Sequence, residues 1–375
     1  DLPFRGGLAG LLGFELLQWI DPPRVPLKCP RTPSMWVGVF PAAAIFTHAT
    51  STWTLVGPAD HPARRLLAVG LEESTVPAAA HTPRADRAAG RPRWVEQGVG
   101  SGVDPEAVYP ERVRACRDAI YAGELFEVNY AERFDAAWPH SGFSLYEAMR
   151  RVATGDYFAY LDAGDFQVAS VSPEQFLEVR DGVLRARPIK GSCPRHPDPE
   201  VDRDLATGLL ASEKDRAENV MIVDLMRNDL TRVCRVGSVV ADEICSLESF
   251  AGIHHLVSTV TGRLEDGIRP LDALLSCFPA GSITGAPKLR SVEIIAEVEG
   301  SARGAYTGSM FYASAHGALD ASVLIRTAEL VDGQARYGAG GAVVAQSDPV
   351  SEWREALLKR ALFDRALSGG TGREP

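Results

Sequence analysis

Four carboxylates recur in two pairs at a spacing that suits the binding of a cation. Asp215 and Glu218 lie three residues apart, as do Glu352 and Glu355, and each pair falls in a predicted helix. Residues at this spacing share one helix face, so each pair presents two carboxylates together. Two such faces would supply the oxygen ligands that Mg²⁺ prefers. An ordinary solvated helix face stays open as the alternative, because basic residues flank both pairs.

Three further side chains are candidates for chemistry. Lys190 stands in ARPIKGS, where apolar or small neighbours and the nearby Arg187 would lower its pKa. A lysine in such surroundings becomes a nucleophile. Glu174 follows an apolar strand in the tripeptide SPE, and His255, beside a second histidine, is a candidate proton carrier. The alternatives are a surface lysine, a turn residue and a structural histidine.

Two glycine-rich segments look like nucleotide-binding loops but lack the required spacing. The segment GSITGAPK (281–288) places Ala-Pro before its lysine and Leu289 after it, which excludes a P-loop. Its proline suits the first turn of a following helix, whose N-terminus could bind an anion. The segment GAGGA (338–342) lacks a dinucleotide fingerprint, and its missing side chains would let a ligand approach the backbone.

The elements that must position these residues are hairpin-connected strands and long helices. Apolar spacing, caps and turn signals predict their ranges. The predicted helices are 104–123, 202–226, 269–278, 287–298 and 351–366, and the predicted strands are 35–40, 50–56, 125–134, 157–162, 166–171, 176–180, 183–188, 306–313, 321–330 and 335–344. This arrangement predicts an α+β protein with large antiparallel sheets packed against helices.

The overall charge and the cysteine pattern exclude several functions. The 375 residues carry 39 Lys and Arg against 49 Asp and Glu, which gives a net charge of −10. This acidic excess opposes broad electrostatic capture of nucleic acid or anionic membrane. Six cysteines without a CxxC pattern favour neither zinc nor disulfides, and no apolar run is long enough for a membrane span. We expect a cytoplasmic protein that binds neither nucleic acid nor membrane.

Composition also suggests how the chain is divided. Residues 1–102 are predicted to be an N-terminal remnant of the same fold, with strands and an exposed stretch rich in Ala, Pro and Arg. Residues 103–370 form the predicted catalytic core, and 371–375 a tail. The chain begins without Met and opens directly on an apolar, glycine-rich stretch, so we expect it to be a fragment of a longer protein.

Seven blocks of sequence, in order, resemble a known family. They are SVSPEQFLEV (170–179), RPIKGSCPR (187–195), SEKDRAENVMIVDLMRNDLTRV (212–233), HHLVSTV (254–260), FPAGSITGAPKLRSVEII (278–295), ASVLIRT (321–327) and YGAGGAVVAQSDPVSEWREALLK (337–359). Together they resemble the chorismate-utilising enzymes, the component I family of anthranilate and 4-amino-4-deoxychorismate synthases. The lysine of PIKG resembles the aminodeoxychorismate synthases, since anthranilate synthases typically carry Ala there.

The resemblance implies a fold and a metal. The fold would be a single domain in which two large antiparallel β-sheets form a sandwich with flanking helices, with the active site between the sheets. Mg²⁺ would bind chiefly to Glu218 and Glu355, with Asp215 and Glu352 in or near its coordination shell.

The resemblance also implies roles for substrate-facing residues. Lys190 would attack the ring as a neutral amine, Glu174 would protonate the leaving hydroxyl, and His255 would assist with proton transfer or carboxylate contact. A larger set would contact chorismate: Ser282, Thr284, Tyr306, Arg326, Lys359 and the backbone of Gly340 and Gly341.

The implied activity is amination of chorismate at C4 to 4-amino-4-deoxychorismate, the precursor of 4-aminobenzoate. Ammonia would come from a glutaminase subunit or a fused glutaminase domain, because the sequence contains no glutaminase signature. An anthranilate-type synthase, an isochorismate or salicylate synthase and a non-catalytic subunit of the same fold remain alternatives. Three residues depart from the family pattern: Gln346 replaces a usual Asp, Phe311 a common Gly and Glu127 a usual Gln.

Overall fold

Helices and antiparallel strands alternate along the chain in the computed structural model, which describes residues 2–73, 105–250 and 252–369. The helices are α1 (Leu17–Ile20), α2 (Pro62–Glu73), α3 (Pro105–Tyr121), α4 (Gly142–Val152), α5 (Pro199–Ala211), α6 (Glu213–Thr231), α7 (Pro270–Cys277), α8 (Lys288–Val298) and α9 (Pro349–Leu367). The strands are β1 (Gly7–Leu12), β2 (Met35–Phe40), β3 (Ala43–Thr47), β4 (Thr52–Val56), β5 (Glu127–Ala137), β6 (Tyr157–Asp162), β7 (Gln167–Ser172), β8 (Gln175–Arg180), β9 (Val183–Ala186), β10 (Ile189–Pro194), β11 (Val240–Phe250), β12 (Ile253–Arg263), β13 (Gly285–Ala286), β14 (Ser309–Ser314), β15 (Leu319–Val323), β16 (Thr327–Val331) and β17 (Gln334–Val343).

The strands of the described residues form two large sheets and one hairpin. The larger sheet has nine strands in the order β10-β12-β9-β8-β15-β14-β1-β2, with β11 paired to β12. The smaller sheet has six, in the order β13-β5-β17-β16-β7-β6, and β3 pairs with β4. All pairings between these strands are antiparallel. The predicted α+β class with large antiparallel sheets is confirmed.

One hydrophobic core joins the two sheets. Leu177 and Val179 of β8 in the larger sheet and Val128 and Phe134 of β5 in the smaller sheet belong to the same buried cluster. Both strands have buried residues on both faces, since consecutive positions such as Phe176 and Leu177 of β8 are buried, so each strand is covered on both sides. This packing fixes the separation of the two sheets.

Helix α9 covers one face of the smaller sheet. Its Phe363 stacks on Tyr337 of β17 with ring centroids 4.7 Å apart, and its Trp353 lies 5.1 Å from Tyr109 of α3. Asp348 caps the helix by accepting a hydrogen bond from the Ser351 backbone amide. These contacts anchor the first turns of α9, which carry Glu352 and Glu355.

Two predicted elements are each divided in the structure. The predicted helix 202–226 is α5 followed by α6, because Ser212 adopts an extended conformation and caps α6 by accepting a hydrogen bond from the Asp215 amide. The predicted strand 321–330 is β15 followed by β16. Arg326 lies between them with φ of 49°, in the left-handed region, where the chain passes from one sheet to the other.

Other elements were absent from the prediction. Strands β1, β10, β11 and β12 had no counterpart, although β12 pairs with three strands of the larger sheet. Helix α2 lies within the N-terminal part, where composition predicted an exposed stretch rich in Ala, Pro and Arg. Residues 74–104, which include the first residue of the predicted helix 104–123, lie outside the described residues. None of the helices in the described ranges has the length and apolar character needed to cross a membrane.

Candidate active site

Most of the predicted site residues line a single cavity of about 660 Å³ between the two sheets. Its walls come from β5 and β17 of the smaller sheet, β10 and β12 of the larger sheet, and helices α6 and α9. The predicted residues in the walls are Glu174, Lys190, Asp215, Glu218, His255, Ser282, Tyr306, Arg326, Gly340, Gly341, Glu352, Glu355 and Lys359. Residues spread over the sequence from 174 to 359 therefore face one space.

Thr284 departs from this arrangement. The expectation placed it in the pocket lining, but it is fully buried and is absent from the cavity wall. Its hydroxyl donates to the carbonyl oxygens of Ala280 and Gly281, at 3.0 and 3.3 Å, within its own loop. Thr284 thus holds the loop that presents Ser282 to the cavity, and its expected place in the pocket lining is corrected.

Lys190 extends into the cavity from an irregular part of β10. The pairing of β10 with β12 shifts register between Ile189 and Ser192, and Gly191 has φ of 85°. A β-carbon on Gly191 would lie 2.9 Å from the β-carbon of Asp215 on α6, so only glycine allows this close approach. The bulge therefore positions Lys190 directly beside α6.

The Lys190 amine has a buried carboxylate partner. Its Nζ donates to Oε1 of Glu127 on β5 at 2.9 Å, and the two side chains are 11% and 0% exposed. Burial alone would lower the pKa of Lys190, but Glu127, with help from Glu218 and Glu174, raises it above the usual value. The resting side chain is thus an ammonium, and the neutral amine expected for the attack requires the loss of a proton. Arg187, expected to lower this pKa, pairs instead with Glu248.

Glu174 is held in the turn between β7 and β8. Its backbone amide donates to the Ser172 hydroxyl at 3.2 Å, and its carbonyl accepts from the Val323 amide at 3.0 Å. The carboxylate accepts a hydrogen bond of 2.6 Å from the Ser282 hydroxyl. Burial raises the pKa of Glu174, an effect that Ser282 and Lys190 partly offset. A carboxyl group in this state is suited to donating a proton.

His255 lies on β12 opposite Ser192 of β10 and shares a hydrogen bond with its hydroxyl. Burial lowers the pKa of His255 to about 4, and the nearby Arg326 acts in the same direction. The imidazole is therefore neutral at neutral pH. The neighbouring His254 serves the structure, since it bonds Ser249 and Asp202 at 2.7 and 3.0 Å and is absent from the cavity wall.

The carboxylates of α9 converge beside a glycine of β17. A β-carbon on Gly341 would lie 3.3 Å from Oε2 of Glu352 and 3.3 Å from Oε1 of Glu355. Burial raises the pKa of Glu352, and the charge of Glu355 raises it further. Burial would also raise the pKa of Glu355, but Lys359, bonded to it at 2.7 Å, and more distant lysines lower it overall. Gly341 thus leaves a space lined by two carboxylate oxygens.

Helix α6 contributes the second pair of carboxylates. Burial raises the pKa of Glu218, with further contributions from Glu127 and Asp215, and the nearest basic group, Lys214, is 3.8 Å away. Within the described part of the chain, no three His, Cys, Asp or Glu side chains meet as a ready metal cluster. The donor set is nevertheless all oxygen, and Mg²⁺ commonly takes only one or two carboxylates along with waters and substrate oxygens. The residues present fit that ion.

A basic and aromatic region completes the cavity. Burial lowers the pKa of Arg326, whose guanidinium donates to the Thr154 carbonyl at 3.3 Å and pairs with no carboxylate among the described residues. Tyr306 lies nearby in the wall, and burial raises its pKa to about 12. The buried guanidinium of Arg326 is suited to binding a carboxylate of a ligand. The site therefore combines acidic and basic walls.

Two residues were missed as site components, one in the cavity wall and one directly behind it. Arg303, buried and bonded to Glu299 at 2.6 Å and to the Asn129 carbonyl at 2.7 Å, lines the cavity next to Tyr306. Glu127 was recognised only as a departure from the family pattern. Its position among the apolar residues Leu125, Phe126 and Val128 was the available signal, because an acid that becomes fully buried requires a partner.

Comparison with known proteins identifies the family. The sequence profile of the family described as chorismate binding enzyme matches residues 2–364. The chain belongs to this family. Among the relatives of this chorismate-binding enzyme, an aminodeoxychorismate synthase of Streptomyces griseus is 46% identical over 266 residues, which cover 70% of this chain and 37% of the relative.

Other relatives cover almost the whole chain. An aminodeoxychorismate synthase component 1 of Salmonella typhimurium is 37% identical over 360 residues, covering 96% of this chain and 76% of the relative. The crystal structure of anthranilate synthase component I from Streptococcus pneumoniae superposes with a TM-score of 0.83 at 30% identity, covering 97% of this chain and 81% of that structure. The expected fold of the chorismate-utilising enzymes is confirmed.

Proposed function

We propose that this chain aminates chorismate at C4 with ammonia and releases 4-amino-4-deoxychorismate and water. The observation that carries the proposal is the placement of Lys190 and Glu174 in one cavity with two carboxylate pairs. The names of two relatives, which are aminodeoxychorismate synthases at 46% and 37% identity, support the same activity. The free cysteines support a reducing compartment, for which we propose the cytoplasm.

The chemistry proceeds through a covalent bond to Lys190. Its amine attacks C2 of the ring, electron pairs of the diene shift toward C4, and the C4–oxygen bond breaks. Glu174 gives its proton to the departing hydroxyl, which leaves as water. Ammonia then bonds to C4, the electron pairs shift back, and the bond from C2 to Lys190 breaks. The attack by Lys190 and the attack by ammonia thus replace one difficult direct displacement at C4 with two easier steps.

The remaining residues bind and orient the substrate. We propose that Glu218 and Glu355, with Asp215 and Glu352 beside them, hold Mg²⁺. The ion would neutralise and position the ring carboxylate. Arg326 is suited to the second carboxylate because it has no acidic partner in the described structure. These contacts would hold C2 close to the Lys190 amine.

We propose a glutaminase subunit or domain as the source of ammonia. The designation component 1 of the Salmonella relative implies a second component, and the Streptomyces griseus relative extends well beyond the matched segment. The chain should therefore use ammonium salts directly and should use glutamine only when a glutaminase is added. Turnover of glutamine by the purified chain alone would contradict this division of work.

Product analysis tests the proposed reaction. Incubation with chorismate, Mg²⁺ and an ammonium salt should yield 4-amino-4-deoxychorismate, and intact mass spectrometry during turnover should show a covalent adduct on Lys190. Lys190→Ala should lose the adduct and most amination at C4, whereas Lys28→Ala, a lysine bonded to carbonyls outside the cavity, should retain both.

Two outcomes would reject the proposal. Anthranilate as the main product of the unmodified chain would favour an anthranilate-type synthase, a reaction of the kind named for the Streptococcus pneumoniae neighbour. Undiminished 4-amino-4-deoxychorismate from Lys190→Ala would exclude the covalent route. Amination at C2 by Lys190→Ala alone would support the route, since loss of the lysine leaves room for ammonia near C2.

A further inference from the structure

Glu127 contacts Lys190 from the side that faces away from the cavity. Lys190 lines the cavity, whereas Glu127 is absent from its wall and its side chain is 0% exposed. Nζ of Lys190 donates one hydrogen bond of 2.9 Å to Oε1 of Glu127. The face of the amine that meets a substrate is therefore separate from the face that meets Glu127.

The Glu127 carboxylate also has unused capacity. Its Oε1 accepts a second, longer hydrogen bond of 3.3 Å from the side-chain amide of Asn129. Its Oε2 is buried without a hydrogen-bond partner among the described residues. The backbone fixes its position, because Glu127 pairs with Ala286 of β13 and its carbonyl accepts from the Ser291 hydroxyl at 3.0 Å. A rigid, dry carboxylate is thus held against the lysine.

We propose that Glu127 is the base that accepts the proton of Lys190 and thereby frees the amine for attack. The proposal rests on the function proposed above and adds a residue to it. The Nζ–H bond breaks, the proton moves along the hydrogen bond to Oε1, and the electron pair left on Nζ forms the bond to C2. When the lysine leaves C2 as a neutral amine, Glu127 returns the proton. Over one catalytic cycle, the pair of Lys190 and Glu127 therefore neither gains nor loses a proton.

The need for such a base follows from the surroundings of Lys190. Carboxylates face it from several elements: Glu127 from β5, Glu218 from α6, Glu174 from the turn after β7 and Glu355 from α9. The nearest titratable group on the adjacent strand β12, His255, is neutral. These charges favour the ammonium, which has no electron pair to donate, and Glu127 alone among them bonds to it in the described structure.

Glu127→Gln separates the two roles of this residue. The amide keeps the shape and a hydrogen-bond acceptor but cannot take the proton, so the free amine must form by proton loss to solvent. We expect the rate of adduct formation at pH 7 to fall by about 10²-fold. We divide the rate of the unmodified chain by the rate of Glu127→Gln at each pH, which removes the pH dependence that Glu174 contributes to both. This ratio should fall by about tenfold per pH unit as pH rises, because the variant gains neutral lysine with increasing pH.

Two further variants distinguish catalysis from structure. Glu127→Asp retains the carboxylate and should restore a pH-independent ratio with part of the rate. Glu132→Gln makes the same change in another buried glutamate of β5, bonded to Arg112 and Tyr130, and should leave the pH dependence unchanged. A Glu127→Gln variant whose rate ratio is independent of pH, whether the rate is normal or reduced, would overturn the proposal.

A measurement without chorismate or metal tests the pair by itself. Acetic anhydride labels only neutral amines, and peptide mass spectrometry reports the labelled fraction of Lys190 at each pH. Its midpoint should move to lower pH in Glu127→Gln, because the counter-charge is lost while burial remains. An unmoved midpoint would overturn the role of Glu127. Absence of any adduct in the unmodified chain would instead reject the proposed covalent function, so the two failures are distinguishable.

Discussion

The two polar walls of the cavity differ in how their charges are compensated. On the strand side, Lys190 is paired with Glu127, and Glu174 accepts from Ser282 at 2.6 Å. On the helix side, carboxylates of α6 and α9 line the same cavity. Burial raises the pKa of Glu218 and Glu352, and the neighbouring carboxylates Asp215 and Glu355 add to this effect. Lys190 and Glu174 of the strand wall thus each have a buried hydrogen-bond partner, whereas the helix wall brings four carboxylates to one cavity with Lys214 and Lys359 as their basic partners.

This difference shows what each wall is built to receive. Buried like charges raise the free energy of the folded protein, and a bound cation relieves that cost. A compensated pair instead keeps a proton available for transfer between fixed partners. The helix wall should therefore respond to a metal ion, and the strand wall should respond to pH.

The largest expected effect is the loss of metal-dependent activity when one carboxylate of the helix wall is removed. Glu218→Gln or Glu355→Gln should abolish turnover that depends on Mg²⁺, because a site with few protein ligands loses both affinity and charge compensation. Steady-state rates measured against Mg²⁺ concentration check this. Asp224→Asn, an exposed change on the same helix α6, is the matched control and should retain the dependence. Normal Mg²⁺ dependence in the two glutamate variants would make the wall an ordinary helix face.

A second change removes the proposed proton donor of the strand wall. Glu174→Gln should lower kcat by about 10²–10⁴-fold, because the leaving hydroxyl loses its proton donor. In the unmodified protein, activity should fall as pH rises through the raised pKa of Glu174, since only the protonated acid can donate. Rates at saturating chorismate over a range of pH test both statements. Glu178→Gln, on β8 and outside the cavity wall, should leave kcat and this alkaline limb in place.

Metal binding should also appear as stability. Mg²⁺ at about 100 times its Kd should stabilise the folded chain by about 2.7 kcal/mol, without any substrate. Thermal or urea unfolding with and without Mg²⁺ measures this difference. The gain should vanish in Glu355→Gln and persist in Lys190→Ala, which leaves all four carboxylates of the helix wall in place. An equal gain in both variants would place the ion elsewhere.

The smallest expected effect concerns His255 of the strand wall. Its pKa in the folded state is about 4, below the ordinary value of 6.5, so folding favours the neutral ring. The resulting stability is present above about pH 6.5 and is lost as pH falls toward 4. The part due to His255 should be on the order of 1 kcal/mol at pH 5. Urea unfolding at pH 7 and pH 5 should show a weaker pH dependence in His255→Gln, and an unchanged dependence would contradict the assignment.

The sequence predicted most of the fold because local signals are strong in it. Apolar runs separated by the turn residues Asp181-Gly182 predicted β8 and β9 close to their observed bounds, and helical patterns predicted α7, α8 and α9 within two residues of theirs. The errors occurred where tertiary contacts override local pattern. At Arg326 an apparently continuous strand turns into the second sheet, and at Ser212 a side-chain cap divides one apparent helix.

The sequence by itself determined which chemical groups the site contains, because residue types and blocks of motif carry that information directly. Its pattern selected Lys190, Glu174 and the two carboxylate pairs before any geometry was known. Only the tertiary structure decided their charge states and partners. Glu127 lies 63 residues before Lys190 along the chain, and the two meet solely because β5 and β10 approach from different sheets. Burial and pairing across such distances are set by packing, and here they raise the pKa of Lys190 and hold its resting side chain as an ammonium.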